Sequence, residues 1–166
     1  MKKMAALLTL LMVVFLMPTA YADIQTHYNG NPNYPMVIFH QGHVLYVDKT
    51  SISVQLYEPP KYRLAIAEFY APDDGNGPVT NYHSIVFDYD YDNTRMYFND
   101  NGTLEYLDPL FESGRPNYKL MRAGEAAFYL EYGIKFYGRY TWMSENTGEY
   151  ESDLPNEFYD VLRNER

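Results

Sequence analysis

The sequence predicts an α+β domain in which an antiparallel β-meander or partly open barrel is followed by an amphipathic helix and a short C-terminal helix. Three observations lead to this fold class. Between residues 36 and 107, short runs rich in β-branched and aromatic residues are bounded by Pro, Gly, Asn or Asp, as is typical of strands joined by turns. After Arg122 the apolar residues recur at steps of three and four, as on one face of a helix. The chain also contains 19 tyrosines, and Tyr favours half-buried sheet surfaces.

The first strands are predicted from the segment MVIFHQGHVLYVD, in which two apolar runs flank Gln41 and Gly42. A two-residue connection that contains Gly is typical of a tight β-hairpin. The later runs are short and are separated by turn residues, so several neighbours can pair antiparallel. These runs are SISVQLY, YRLAIAEFY, SIVFDYDY, RMYF and LEYL.

The main helix is predicted over residues 123–138, with Glu125 in its first turn, where the helix dipole favours an anion. Gly138 is a suitable residue to end it. A second, short helix is predicted from Pro155 to about Arg163, because Pro is tolerated in a first turn. The apolar stripes that support the two helices are Ala123, Ala127, Leu130, Ile134 and Tyr137 in the first, and Phe158, Val161 and Leu162 in the second.

Residues 1–22 have the features of a Sec signal peptide. Two lysines precede an apolar run, and Ala20 and Ala22 complete an A-x-A cleavage pattern. The apolar run is shorter than the roughly 20 residues that a transmembrane helix needs. We therefore expect export to the periplasm or the extracellular space, and no membrane span after cleavage. The mature chain would consist of an extended lead-in over residues 23–35 and a single α+β domain over residues 36–166.

The composition excludes several classes of protein. The chain contains no cysteine, so disulfide frameworks, thiol nucleophiles, iron–sulfur clusters and cysteine zinc sites are excluded. Removal of Lys2 and Lys3 with the signal peptide would change the formal net charge from −9 to −11. Phosphate backbones and anionic lipids repel such a chain, so we expect no nucleic-acid partner.

The run SIVFDYDYDNTRMYF places aspartates at alternate positions between tyrosines. Because side chains alternate across a strand, Asp88, Asp90 and Asp92 share one face and the tyrosines between them share the other. A calcium site is one interpretation, since carboxylate oxygens are ligands that calcium prefers. The run does not fit an EF-hand loop, because Asn93 and Asn99 stand where Gly and a bidentate Glu belong. The preferred interpretation is the solvated face of a hairpin.

A second candidate metal site is formed by His40 and His43. They flank the predicted turn and would face each other across the hairpin. Two imidazoles in this arrangement can bind zinc or copper, but a complete site needs a third or fourth ligand. His27, His83 and the acids are the remaining candidates for it. The alternative is a pair of polar side chains at a hairpin tip.

Four tyrosines are candidate binding residues: Tyr89, Tyr91, Tyr97 and Tyr106. Exposed aromatic rings on a sheet are suited to sugar rings or partner proteins, because they bury area at a low entropic cost. The alternative is that these rings face the core. For Tyr89 and Tyr91 the alternation favours the core, because they lie on the face opposite the aspartates.

The segment VLYVDKTSI is similar to a strand of small exported bacterial proteins of the surface-adhesin-like kind. The resemblance depends mainly on Tyr46, Val47, Asp48, Ser51 and Ile52, with weaker similarity across the middle of the chain. It implies a compact mixed β domain with an envelope or surface role, and it supplies no catalytic residues.

The sequence contains no recognisable catalytic signature. A G-x-S-x-G nucleophile elbow, a G-x-x-x-x-G-K-[ST] phosphate loop and a G-x-G-x-x-G dinucleotide loop are all missing. We therefore expect a non-enzymatic binding domain that uses no cofactor and has an envelope protein or glycan as its partner. Two alternatives stay open: a hydrolase of envelope glycans that uses carboxylates with a His, and a calcium-stabilised module.

Overall fold

The computed structural model describes residues 25–72, 75–109, 118–140, 142–143, 150–151 and 154–163, so the predicted signal peptide lies outside the described residues. The predicted fold class is confirmed: a six-stranded antiparallel meander forms a half-barrel and is followed by a helix and a short C-terminal helix. The six strands lie in the sheet in chain order: β1 Met36–His40, β2 His43–Glu58, β3 Lys61–Pro72, β4 Thr80–Asp90, β5 Arg95–Asp100 and β6 Thr103–Tyr106. The remaining elements are α1 Tyr118–Tyr132, the two-stranded pair β7 Trp142–Met143 and β8 Tyr150–Glu151, and α2 Asn156–Arg163.

The predicted turn at Gln41 and Gly42 is confirmed. Both residues have positive φ, 52° and 76°, as a tight two-residue hairpin turn requires. His40 therefore lies opposite His43. An Asn-Gly pair makes the same kind of connection between β5 and β6, with φ values of 50° and 92°.

An insertion in β2 interrupts its pairing with β3 between Asp48 and Ser53. The Asp48 carboxylate accepts hydrogen bonds from the Thr50 N–H at 2.8 Å and the Thr50 hydroxyl at 2.6 Å, which fixes the backbone of the insertion. The Ser51 hydroxyl accepts the Ala67 N–H at 2.7 Å and so satisfies a backbone donor of β3. Insertions of this kind bend a strand and increase its twist, which helps to curve the sheet.

One face of the sheet packs against α1 and forms the main core; we name it the helix face. The alternation predicted for β4 is confirmed, because Ile85, Phe87 and Tyr89 project to this face and are buried. Gly124 permits the close approach of α1, since a Cβ at this position would overlap the sulfur of Met96. Other buried members of this core are Val37, Leu45, Val47, Leu64, Ile66, Leu107, Met121, Ala127, Phe128 and Phe136.

The predicted bounds of the main helix were wrong, because α1 spans residues 118–132 instead of 123–138. Gly133 has a φ of 68° and closes the last turn with a backbone hydrogen bond of 2.8 Å. Ile134 is therefore outside the helix and 46% exposed, and Tyr137 reaches the core from the following loop. The apolar residues of that loop match a helical period without being helical.

Glu125 lies inside α1 and not in its first turn, which corrects its predicted position. It is fully buried, and its carboxylate accepts the N–H groups of Phe136 at 2.8 Å, Tyr137 at 2.7 Å and Gly138 at 3.4 Å. The Tyr159 hydroxyl donates a fourth hydrogen bond at 2.8 Å. Burial raises the pKa of Glu125, and these hydrogen bonds oppose the rise. The carboxylate thus connects α1, the loop that follows it and α2.

The opposite face of the sheet, which we name the outer face, is covered at one end by the lead-in. Tyr28 and Tyr34 pack edge-on against Phe69, with ring centroids 5.3 and 5.6 Å away. The Tyr46 hydroxyl donates to the Gln25 carbonyl at 2.9 Å. The composition of the lead-in predicts little structure of its own, yet it packs on the sheet and contains a short 3-10 turn. The apolar cluster that it covers consists of Val44, Tyr46, Phe69 and Ala71.

The predicted C-terminal helix is confirmed by α2, in which Phe158 and Leu162 are buried and Val161 is half-buried. His27 Nε2 donates to the Val161 carbonyl at 3.0 Å, and Lys49 Nζ donates to the Leu162 carbonyl at 2.9 Å. These bonds supply donors to carbonyls that have no partner within the helix. Within the described ranges, no helix has both the length and the apolar character needed to cross a membrane.

Candidate functional site

Beyond the lead-in, the outer face presents a row of side chains that crosses five strands. The register places Leu56, Arg63, Asp88, Tyr97 and Tyr106 opposite one another in that order. Residues paired in a sheet project to the same face, so these side chains are neighbours. The row therefore brings together three of the residues that the sequence singled out, namely Asp88, Tyr97 and Tyr106.

Two ion pairs fix the polar groups beside this row. Arg63 donates from Nε and Nη2 to Asp88 Oδ1, both at 2.8 Å, and Asn99 Nδ2 donates to Asp88 Oδ2 at 2.6 Å. Lys61 binds the carboxylate of Asp90. Hydrogen bonds hold the pKa of Asp90 below its ordinary value, and the bond from Lys61 contributes most to this lowering. Both carboxylates therefore have defined partners and orientations.

Two clefts adjoin the row and meet at Leu104, which is 52% exposed. Their volumes are about 360 Å³ and about 210 Å³. The larger cleft is lined by Gln55, Arg63, Val86, Asn99, Asn101, Gly102 and Leu104, and the smaller by Leu56, Lys61, Tyr62, Asp88, Tyr89, Asp90, Tyr97 and Leu104.

Tyr97 lines the smaller cleft and pairs with Tyr106, with ring centroids 5.6 Å apart. Tyr106 is 41% exposed, and the guanidinium of Arg95 lies 6.0 Å from its ring centroid. A guanidinium at this distance from a ring is attracted to its face. The pair gives the outer face an aromatic surface next to the fixed carboxylate of Asp88.

The other two candidate tyrosines lie on the helix side of the sheet. Tyr89 is 2% exposed, and its hydroxyl donates to the Gly124 carbonyl at 2.8 Å. Tyr91 is half-buried and stacks on Phe128 with a centroid distance of 6.0 Å. The guanidinium of Arg139 lies 4.3 Å from the centre of the Tyr91 ring. Tyr89 is thus a core residue, as the alternation of the strand favours.

The predicted metal ligands do not converge. Asp88 and Asp90 lie in β4 with the partners described above, whereas Asp92 is an exposed residue of the turn after the strand. His40 and His43 face each other at the exposed tip of the first hairpin. Among the described residues, no group of three or more His, Asp or Glu side chains is placed to hold a metal ion.

A His meets a buried carboxylate outside the two clefts. His83 Nε2 lies 3.6 Å from Glu68 Oε1, and Glu68 is 5% exposed. His83 Nδ1 donates to the Asn81 carbonyl at 2.7 Å, so Nε2 carries a proton only when the ring is charged. Burial raises the pKa of Glu68, and the charges of His83 and Lys119 oppose the rise. Within the described part of the chain, Glu68 Oε2 has no hydrogen-bond partner.

Four further residues belong to the site and were not predicted from the sequence: Lys61, Arg63, Asn99 and Leu104. One signal was present, because KYR on one strand and DYD on the next carry opposite charges at matching intervals. Antiparallel pairing of these runs places each cation opposite an aspartate. No comparable pattern in the sequence indicated Asn99 or Leu104, since their roles depend on the register of β5 and β6.

Comparison with known proteins gives no relative: no protein-family model, no curated protein and no solved structure matches the chain. The class that the geometry itself defines is an α+β half-barrel whose outer face carries two adjoining clefts.

Proposed function

We propose that this chain is a non-enzymatic binding domain that is exported to the bacterial envelope or beyond it, and that it binds an envelope component through the outer face. The observation that carries the proposal is the pair of clefts at Leu104, which combines fixed charges, amide side chains and an aromatic pair. Ligand sites typically combine apolar surface with a few polar groups that fix the orientation of the ligand.

The fixed conformations of the polar side chains support the proposal. Asp88 is held by Arg63 and Asn99, and the Asn99 Oδ1 atom accepts the Gly102 N–H at 2.8 Å. Side chains that are already fixed lose less conformational entropy when a ligand binds. The outer face therefore has the preorganisation expected of a binding surface.

The binding function is tested with protein purified from the full-length gene, immobilised and exposed to solubilised envelope glycans and envelope proteins. We expect the wild type to retain a component, and Leu104→Arg to bind it at least about tenfold more weakly, as is typical of a central contact residue. Val54→Arg is the matched control, because Val54 is 42% exposed and its partner Leu64 belongs to the helix face. Retention that Leu104→Arg leaves unchanged would contradict the outer face as the binding surface. A wild type that retains nothing would contradict the binding function.

Export is tested by cell fractionation and by sequencing the N-terminus of the mature protein. Residues 1–22 have the pattern of a cleaved signal peptide, so we expect a mature chain that begins at Asp23 in the periplasm or the medium. A chain that keeps Met1 and stays in the cytoplasm would contradict this part of the proposal.

The contact between His83 and Glu68 favours a second candidate, a hydrolase of envelope glycans. General acid–base catalysis commonly uses a carboxyl group with a raised pKa beside a His, and burial raises the pKa of Glu68 next to His83. The test is the release of reducing ends from envelope glycans by the wild type, Glu68→Gln and His83→Gln, with His43→Gln as the control at the exposed hairpin tip. Release that Glu68→Gln leaves unchanged, or no release at all, would remove this candidate.

A further inference from the structure

We infer that the two clefts of the outer face are adjoining subsites for a neutral oligosaccharide, with one sugar unit on each side of Leu104 and one ring stacked on Tyr97. The inference rests on the proposed binding function and adds the class of ligand to it. Three features of the site lead to this class: the balance of its charges, its amide side chains and its aromatic pair.

The charged side chains that line the two clefts balance one another. They are two cations and two anions, joined as Lys61 with Asp90 and Arg63 with Asp88. An anionic ligand would compete with these aspartates for the cations, and a cationic ligand would compete for the aspartates. Loss of a cation to a ligand would be costly, because it would leave an aspartate side chain that is only 12% or 16% exposed without its partner. A neutral ligand binds without disturbing either pair.

Amide side chains supply further polar groups in the larger cleft. Gln55, Asn99 and Asn101 offer uncharged N–H donors and carbonyl acceptors. Asn99 is fixed at both ends of its amide, because Nδ2 donates to Asp88 and Oδ1 accepts the N–H of Gly102. With respect to the described residues, one N–H and one lone pair of this amide are left for a ligand. Neighbouring hydroxyl groups of a sugar ring donate and accept side by side, so they match such an amide.

The smaller cleft provides the apolar surface that the C–H face of a sugar ring requires. Leu56, Tyr97 and Leu104 line it, and the contact with Tyr106 restricts the movement of the Tyr97 ring. A rigid aromatic ring gives a large contact area at a small entropic cost. The phenol is also amphipathic, so it can contact a ring face while its hydroxyl stays in water.

The size and division of the site favour a chain of linked units over one compact molecule. The clefts measure about 360 and 210 Å³, and Leu104 belongs to the lining of both. Small-molecule sites usually measure about 300–1,000 Å³, so the two clefts together are large enough for a ligand of about two or three sugar units.

The test measures binding of three neutral trisaccharides, cellotriose, maltotriose and N,N′,N″-triacetylchitotriose, and of one anionic trisaccharide, trigalacturonate. Protein purified from the full-length gene is titrated by calorimetry, and saturation-transfer NMR identifies the ligand protons in contact. We expect at least one neutral trisaccharide to bind with a dissociation constant of about 1 mM or below. Trigalacturonate should bind at least about tenfold more weakly, because its carboxylates disturb the ion pairs.

Two variants and their matched controls locate the binding. Tyr97→Ala removes the stacking ring and Val86→Phe fills the larger cleft, so each should weaken neutral binding at least about fivefold. Tyr140→Ala and Val54→Phe make the same changes at residues that are 47% and 42% exposed and line neither cleft, and both should bind as the wild type does. Thermal melting verifies that each variant is folded, and Tyr97→Ala alone decides the test if Val86→Phe does not fold.

The outcomes separate this inference from the function on which it rests. Tighter binding of trigalacturonate would overturn the neutral class and leave the binding function in place. The inference also fails if no oligosaccharide binds while Leu104→Arg still weakens retention of an envelope component, and that outcome would leave the binding function in place. Neutral binding that Tyr97→Ala and Val86→Phe leave unchanged would overturn the site. A wild type that binds neither an oligosaccharide nor an envelope component would overturn both proposals.

Discussion

Replacement of Glu125 by Gln should destabilise the fold strongly. Oε1 of the carboxylate accepts hydrogen bonds from Phe136, Gly138 and Tyr159, and Oε2 accepts one from Tyr137. An amide has one oxygen, so its NH₂ group must face at least one of these donors. In every orientation of the Gln side chain, a buried donor therefore loses its acceptor.

The size of the effect follows from these contacts. A buried donor without an acceptor costs about 1–3 kcal/mol, and more when the lost bond was to a charged group. The bonds that remain become weaker, because hydrogen bonds to an ionised acceptor are about twice as strong as neutral ones. Removal of a buried charge offsets part of this cost. We expect Glu125→Gln to lower the free energy of unfolding by about 2–4 kcal/mol, a large part of the 5–15 kcal/mol typical of a domain.

Urea denaturation followed by circular dichroism measures the change. Glu131→Gln is the matched control, because Glu131 is an exposed residue of the same helix. An exposed substitution of this kind should change the stability by less than about 0.5 kcal/mol. A Glu125→Gln variant that lies within the same range would refute the account of this junction.

The pH dependence gives an independent measurement. Burial raises the pKa of Glu125 in the folded state above its ordinary value of 4.5, so the folded state binds this proton more tightly than the unfolded state does. The resulting stabilisation is present below pH 4.5 and is lost as the pH rises through the folded-state pKa. This part of the pH dependence of the free energy of unfolding should disappear in Glu125→Gln and persist in Glu131→Gln.

Three other predictions concern the lead-in, the end of α1 and the aspartates. Phe69→Ala should lower the free energy of unfolding by about 3–5 kcal/mol, as truncation of a buried Phe does. It should also expose the lead-in to limited proteolysis, because Tyr28 and Tyr34 pack on this ring. An unchanged proteolysis rate would contradict this prediction. In urea denaturation, Gly133→Ala should lower the free energy of unfolding by about 1–2 kcal/mol, because a left-handed backbone disfavours a Cβ. Gly133→Asn should lower it less. Nothing lies within 4 Å of a Cβ built at this position, so equal losses of stability would contradict a backbone origin of the effect. Calcium at about 1 mM, an extracellular-type concentration, should leave the melting temperature unchanged relative to chelator, because Arg63 and Lys61 already bind the carboxylates of Asp88 and Asp90; a rise with calcium would contradict this assignment.

Local patterns were sufficient to predict the elements that depend on neighbouring residues. The turn at Gln41 and Gly42 follows from the positive φ that a Gly-containing connection supplies. The inward position of Tyr89 and the outward position of Asp88 follow from strand alternation. These features need no information from distant parts of the chain.

Features that depend on distant residues could not be predicted in the same way. The register shifts of β2 decide that Leu56 lies opposite Arg63, and the sequence gives no direct measure of such shifts. The three- and four-residue spacing of apolar residues over 123–138 continues past Gly133 although the helix has ended. The loop after α1 packs its aromatic residues on the core, and their spacing matches the helical period by coincidence. The buried role of Glu125 depends on donors that lie 11 to 34 residues away in the chain.

The two ends of the outer face differ in polarity, and this difference explains why one end is covered by the lead-in and the other carries the candidate site. At the covered end Tyr46 and Phe69 stack at a centroid distance of 5.6 Å and are buried beneath the lead-in, while Tyr82 stacks on Phe69 at 5.8 Å and stays 56% exposed. The same strands continue into ion pairs and amides at the other end, where polar groups make a cover unnecessary. Leu104 and Tyr106 nevertheless remain about half exposed there, beside polar groups that are already fixed. Exposed apolar side chains among ordered polar ones are characteristic of ligand sites, so this end is where we expect the partner to bind.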